Sequence, residues 1–283
     1  MMNESCIPSI NLEDKINTSL LEPHTLPGLI VEGKTDISIY DKMFSSSKVL
    51  STIDFIIGES KSAIITAYKS KTINFPCVIL LDKDYDGYLK SCLTDDNIVY
   101  THYYTMENYL TTEAVIDATN KDFQSLHRKF STNDIIKEVK AQIEPYVIFC
   151  LIKLKQHWDI KLEECNIVRW LEDNNLKAEE LRDYILGSLK KIGIKESKVA
   201  LNEKYDEEKL LFEKADKYQQ EEVTHGKQKL AILFYVFKSK YNDSFEKRNV
   251  DVFTVDLLKN ISCCDAVNEL TATIEEKIKP LLH

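Results

Sequence analysis

Cys77–Val78–Ile79–Leu80–Leu81 is an unbroken apolar run, bounded by Pro76 and Asp82. Successive residues of a strand point to opposite faces, so a run apolar on both faces must be covered on both. That is the condition of a central strand in a parallel sheet. The flanking sequence repeats the theme. Leu29–Ile30–Val31 ends at Glu32–Gly33, Ile53 to Ile57 ends at Gly58, and Asn97 to Tyr104 is rich in β-formers. Thr35 to Phe44 and Ser60 to Ser70 carry helical spacing between these runs, with Ile64, Ile65 and Tyr68 on one face. Strands alternating with helices predict an α/β domain built on a parallel sheet with flanking helices.

The pattern changes near residue 120. Ile135, Val139 and Ile143 keep helical spacing, and Pro145 is expected to break or kink that helix. Leu230 to Phe237 is apolar all round and predicts a buried helix. Val267, Leu270, Ile274, Ile278 and Leu281 form a terminal stripe, and Gln219 to Thr224 reads as a polar loop or a fraying helix end. The expected organisation is an N-terminal extension over 1–24, the α/β domain over 25–120 and a mostly helical region over 121–283. With only 7 Gly and 6 Pro, the composition argues against long loop-rich tracts. No apolar run reaches the roughly 20 residues of a membrane helix, and no signal peptide is recognisable. The seven Cys show no ligand spacing and are expected to be reduced. A cytoplasmic protein is expected.

Acids gather where the strands end. Glu32 closes the first run, and Asp82, Asp84 and Asp86 follow the third in Asp-Lys-Asp-Tyr-Asp-Gly. In extended chain, residues two apart lie about 6.6 Å apart on one face, so Asp82 and Asp84 should point together. If the first and third strands are neighbours, Glu32 faces them. Two carboxylates about 5 Å apart repel by roughly 3 kcal/mol at an effective dielectric of 20. Protonation or a cation would relieve this, and all-oxygen ligands favour Mg²⁺ or Mn²⁺. A calcium loop of the EF-hand type needs an acid at its twelfth position, where this chain has Leu93. Gly58–Glu59–Ser60–Lys61–Ser62 lacks the spacing of a phosphate loop. The net charge of −9 argues against a protein that grips nucleic acid over its whole surface. The acid excess is local: residues 1–120 hold 17 Asp and Glu against nine Lys, while all four Arg (Arg128, Arg169, Arg182, Arg248) lie beyond.

These residues resemble the TOPRIM domain of topoisomerases, primases and OLD-family nucleases, which carries Glu-Gly after its first strand and Asp-x-Asp after a later one. The resemblance covers about residues 25–115 and implies a Rossmann-like sheet. It assigns Glu32 as general base or metal ligand and Asp82 and Asp84 as Mg²⁺ ligands, with Asp86 and Asp36 as further acids. Tyr103–Tyr104–Thr105–Met106–Glu107–Asn108–Tyr109–Leu110 is similar to a segment of small TOPRIM proteins encoded beside ABC-type ATPases. That group includes the effector of the PARIS phage-defence system. The resemblance implies a toxic endoribonuclease cutting host transfer RNA after release from an ABC-type ATPase, with no membrane role and expected as a homodimer once free. The competing expectations are an OLD-like DNA endonuclease with the same metal site, and a non-catalytic sensor or scaffold stabilised by a cation.

Other residues have two readings each. Glu107 could reach the metal cleft or be a helix N-terminal acid, and Asn108 could orient it or a phosphate. Tyr103, Tyr104 and Tyr109 could stack a splayed base or pack internally. Lys34 and Lys61 could contact phosphate or stand solvated. His225 and Lys227 could hold the scissile phosphate or belong to a helix N-cap region.

Overall fold

The computed structural model describes residues 9–21, 26–124, 129–173, 178–241, 245 and 248–282. Arg128 and part of the proposed N-terminal extension, residues 1–8 and 22–24, lie outside the described residues. Five parallel strands form one sheet: β1 (Ser9–Asn11), β2 (Gly28–Val31), β3 (Asp54–Ile57), β4 (Cys77–Leu81) and β5 (Ile98–Tyr100). Their order is β1-β3-β2-β4-β5. The segment set apart as an extension therefore supplies the edge strand, Ser9 pairing with Phe55. β4 is buried along its whole length, as its composition requires.

Strand alternation sorts the apolar side chains into two cores. Ile30, Ile56, Ile79, Leu81 and Ile98 face one side with Leu12 of α1 (Leu12–Leu21) and Ile64 of α3 (Lys61–Lys69). Leu29, Val31, Phe55, Val78, Leu80 and Val99 face the other, under α2 (Lys34–Phe44) and the helical half. This second core runs without interruption from the sheet into helices beyond residue 130. Each large apolar side chain fully withdrawn from water contributes roughly 1.5–3 kcal/mol.

Short helices α4 (Asp86–Leu89) and α5 (Glu107–Leu110) follow β4 and β5, and α6 (Glu113–Phe123) leads into the helical half. There α7 (Thr132–Gln156) is the central rod. Of the helices that follow, α9 (Ala178–Lys191), α10 (Lys198–Lys214) and α12 (Gly226–Lys240) pack against it, and α8 (Ile167–Asp173), α11 (Lys217–Glu222), α13 (Val250–Lys259) and α14 (Asp265–Ile278) complete the helical half. No described helix is long and apolar enough to cross a membrane. The six described cysteines are free thiols.

Three expectations are sharpened. α7 continues through Pro145 without a break. Proline removes one helical hydrogen bond and costs about 3 kcal/mol. Burial of Ile135, Val139 and Ile143 before it and of every residue from Tyr146 to Ile152 after it offsets that cost. β5 stops at Tyr100 rather than Tyr104. From Thr101 the chain bonds to the acidic loop instead: Lys83 N–H donates to Thr101 Oγ1 at 2.9 Å and Asp84 N–H to the Tyr104 carbonyl at 2.8 Å. Of the two readings of Gln219 to Thr224, the helix end holds: α11 runs through Glu222 and Val223 and Thr224 follow it in a turn. Its capping box is complete: Gln219 N–H donates to Asp216 Oδ1 at 2.9 Å and Asp216 N–H to Gln219 Oε1 at 3.2 Å.

Candidate functional site

In a parallel sheet, ligands bind beyond the carboxyl ends of strands where the strand order reverses. The chain passes from β2 outward to β3, then crosses back over β2 to β4. The reversal therefore lies between β2 and β4, which are neighbours in register Gly28–Cys77 to Ile30–Ile79. Glu32 leaves the end of β2 and Asp82 the end of β4. They meet through a hydrogen bond of 2.9 Å from Asp82 N–H to Glu32 Oε1. Met106 N–H donates to Asp82 Oδ1 at 3.2 Å, linking the third segment to the pair.

The acids then divide into two groups. Asp82 is pushed well above the usual carboxylate range by burial and by the charges of Glu32, Glu107, Asp36 and Asp84. Burial raises Glu32 too, reinforced by Asp84 and Asp36. Asp36 is raised by burial and by Glu107, although its Oδ2 accepts from Gly33 N–H at 3.0 Å as a helix-start contact. Glu107 opens α5 and is buried. Its Oε2 accepts from Thr105 Oγ1 at 2.7 Å, and Lys227 Nζ lies 3.8 Å from Oε1.

Asp84 and Asp86 face a cation of the chain itself. Lys61 Nζ lies 3.1 Å from Asp84 Oδ2 and 2.6 Å from Asp86 Oδ2, and donates to the Asp82 carbonyl at 2.6 Å. Burial alone would lower the Lys61 pKa, but Asp86 and Asp84 outweigh it and raise it. Burial raises Asp86, yet its bonds to Lys61 and Ser91 and the Lys61 charge together bring it below the ordinary range. Burial raises Asp84 against the pull of Lys61. The strand alternation expected to align Asp82 with Asp84 ends at Leu81, and Asp84 sits in the left-handed region at φ 48°. Asp86 and Lys61 thus form an internal ion pair, where the sequence reading had one as a metal ligand and the other at a phosphate.

The donors fit a hard divalent cation in chemistry: all are carboxylate oxygens, partly dehydrated and mutually repelling. Their spacing is wider than a ligand sphere. Among the described residues no three carboxylate, imidazole or thiolate groups stand close enough to hold one ion.

The helical half closes the far side of this cleft. Asn108 is buried, with Thr105 N–H donating to its Oδ1 and its Nδ2 donating to the Thr224 carbonyl, both at 3.0 Å. His225, at the N-cap of α12, stacks on Tyr104 at 4.4 Å and shares a 2.9 Å hydrogen bond with Tyr85 OH. His225 and Tyr104 thus pack on each other in the wall, and Tyr109 is fully buried. Lys34 and Lys227 are exposed. Several wall residues escaped the sequence reading. Thr105 and the Met106 amide carried no motif. Lys83, between the acids, donates to the His102 carbonyl at 3.0 Å and pairs with Glu222 at 2.7 Å. A positive charge between two acids was the available signal.

Burial holds His225 to a pKa of about 4, below its ordinary value near 6.5, with Glu163 and Lys153 pulling in opposite directions. The folded protein keeps this ring neutral, so stability is full above about pH 6.5. It falls as the pH drops toward 4, because only the unfolded chain takes up the proton. The loss is up to roughly 3 kcal/mol. Glu32, Asp36, Asp82 and Asp84 act in the opposite sense across that window. The measurement is therefore the difference between wild type and His225→Gln in urea unfolding at pH 7 and 4.5. A difference independent of pH would refute the assignment.

No family model matches the chain, and no curated protein matches it.

Proposed function

We propose that the chain is a divalent-metal-dependent nuclease of TOPRIM type. The observation that supports this best is the pairing of Glu32 with Asp82 at the strand-order reversal, with Asp36, Asp84 and Glu107 close enough to raise the proton affinity of Asp82. Glu32, Asp82 and Asp84 would hold Mg²⁺ or Mn²⁺, with Asp36 and Glu107 beside them. A bound cation at such a site supplies charge stabilisation for phosphoryl transfer and lowers the pKa of water. Glu32, with its raised proton affinity, is suited to accept a proton from an attacking water. Lys61 holds the Asp84–Asp86 loop, and Lys227, beside Glu107, is available to a phosphate at the mouth.

Transfer RNA is the favoured substrate and duplex DNA the alternative, by the resemblance of residues 103–110. An ABC-type ATPase would be the controlling partner by the same resemblance. Purified protein with Mg²⁺, incubated separately with total RNA and with plasmid, should cut the RNA at few positions, and sequencing the ends identifies them. Plasmid cleavage alone points to the DNA enzyme. Glu32→Ala protein that still cleaves and still poisons cells rejects the catalytic reading.

A second reading draws on the internal cation. Lys61 already neutralises part of the acid cluster, as it would in a scaffold that never turns over. That scaffold would melt higher with Mg²⁺ yet cut neither substrate, and its effect on cells would be indifferent to Asp82→Asn.

A further inference from the structure

A cavity of about 340 Å³ stands apart from the acids. It lies between the start of α6, the first turns of α7 and one face of α11. That volume is within the range of about 300–1,000 Å³ common for small-molecule sites. Its floor is apolar, with Ile116 and Val139 buried. At one end Tyr103 and Tyr218 make an aromatic corner, their ring centroids 6.4 Å apart and the planes tilted by 49°.

The charges are at the wall and mouth. Lys229 is 5 % exposed and donates to both oxygens of Glu221, at 2.7 and 2.6 Å. An ammonium has three N–H donors, so this buried group retains capacity for one more acceptor. Lys217 pairs with Glu113 at 2.9 Å across the rim. Lys140, exposed at the same rim, adds a third positive charge against the two acids. An occupant is thus asked to carry both a flat aromatic part and an anionic group.

We propose that this cavity binds a nucleoside monophosphate, with the base against Tyr103 and Tyr218 and the phosphate at Lys140, Lys217 and Lys229. Stacking on an aromatic side chain suits any base, and the ammonium groups supply the anion's partners. The site is separate from the acidic cleft but joined to it. Tyr218 OH lies 3.0 Å from Lys83 Nζ, and Lys83 stands between Asp82 and Asp84. The same chemistry could arrive as a free nucleotide or as the end of a strand.

Equilibrium dialysis of the full chain tests this in EDTA, where cleavage plays no part, so failure of the nuclease reading leaves the result intact. AMP is expected to bind at least tenfold more tightly than adenosine or inorganic phosphate. Lys140→Glu, an exposed substitution, and Tyr218→Ala should each weaken AMP at least fivefold with unchanged circular dichroism. A 5′-phosphorylated single-stranded hexamer held as tightly as AMP indicates a strand-end site, and one held more weakly indicates a free nucleotide. AMP binding weaker than about 1 mM, or unaltered by both variants, overturns the proposal.

Discussion

Asp82→Asn is expected to melt higher than the wild-type protein in EDTA and to lose cleavage in Mg²⁺. The two effects share one cause. Asp82 has its proton affinity raised by burial and by four neighbouring carboxylates. A group whose folded pKa is raised above the unfolded value of about 3.9 destabilises the folded state once it ionises. Stability from the protonated acid is therefore lost as pH rises from that unfolded value through the folded one. Asparagine keeps the shape, still offers an oxygen to the Met106 amide and removes the charge. The gap between variant and wild type should accordingly widen from pH 5 to pH 8. Relief of about 1 kcal/mol moves the melting temperature by about 2–4 °C in a chain of this class. In the presence of Mg²⁺ the order should reverse, because the variant has lost a charged donor. Loss of several kcal/mol of charge stabilisation slows cleavage by roughly a thousandfold. A variant that melts lower in EDTA at pH 8 would contradict the electrostatic account, whatever its activity.

Gly226→Ala should destabilise the fold strongly for so small a change. Alanine normally favours a helix over glycine by up to about 1 kcal/mol. Here its methyl group would lie 2.4 Å from Thr105 Oγ1, 2.6 Å from Asn108 Oδ1 and 3.0 Å from the Asn108 backbone nitrogen. None of these can step aside cheaply. Asn108 is held by the Thr105 amide and the Thr224 carbonyl, and Thr105 by Glu107. The start of α12 must lift away from α5. Such overpacking costs about 1–3 kcal/mol, enough to outweigh the helical gain. Urea unfolding gives the sign directly: a stabilised variant would mean that the helix start tolerates a side chain. Glycine at this position reflects the close approach of two backbones, since its neighbours rather than its torsions exclude a methyl group.

The sheet was readable because burial writes itself into composition. Cys77 to Leu81 has no polar residue on either face, and such a run has few other uses in a folded chain. Glu32 and Asp82 were readable for the related reason that acids at strand ends stand out against apolar neighbours. Their adjacency depends on strand order, which no local pattern encodes. The fate of Asp84 and Asp86 was harder to see. It turns on a left-handed residue at 84 and on the reach of Lys61 from another helix, and both are settled by tertiary packing. Pro145 does not end α7 because propensity is local while the burial that overrides it is not. The capping box of Asp216 and Gln219 was present in the sequence, three residues apart as the motif requires, and was hidden by the polarity of its surroundings. The edge strand at Ser9–Asn11 is three residues long, too short for any periodicity to show.

The turn joining α11 to α12 touches the cleft at several points in a row. Glu222 grips Lys83, the Thr224 carbonyl receives Asn108, His225 meets Tyr85, and Lys227 stands by Glu107. Each contact is direct, with no relay of intermediates. Whatever pulls or presses on that short stretch moves the walls around the acids like a handle on a clamp, and it does so from a surface remote in sequence from every one of them.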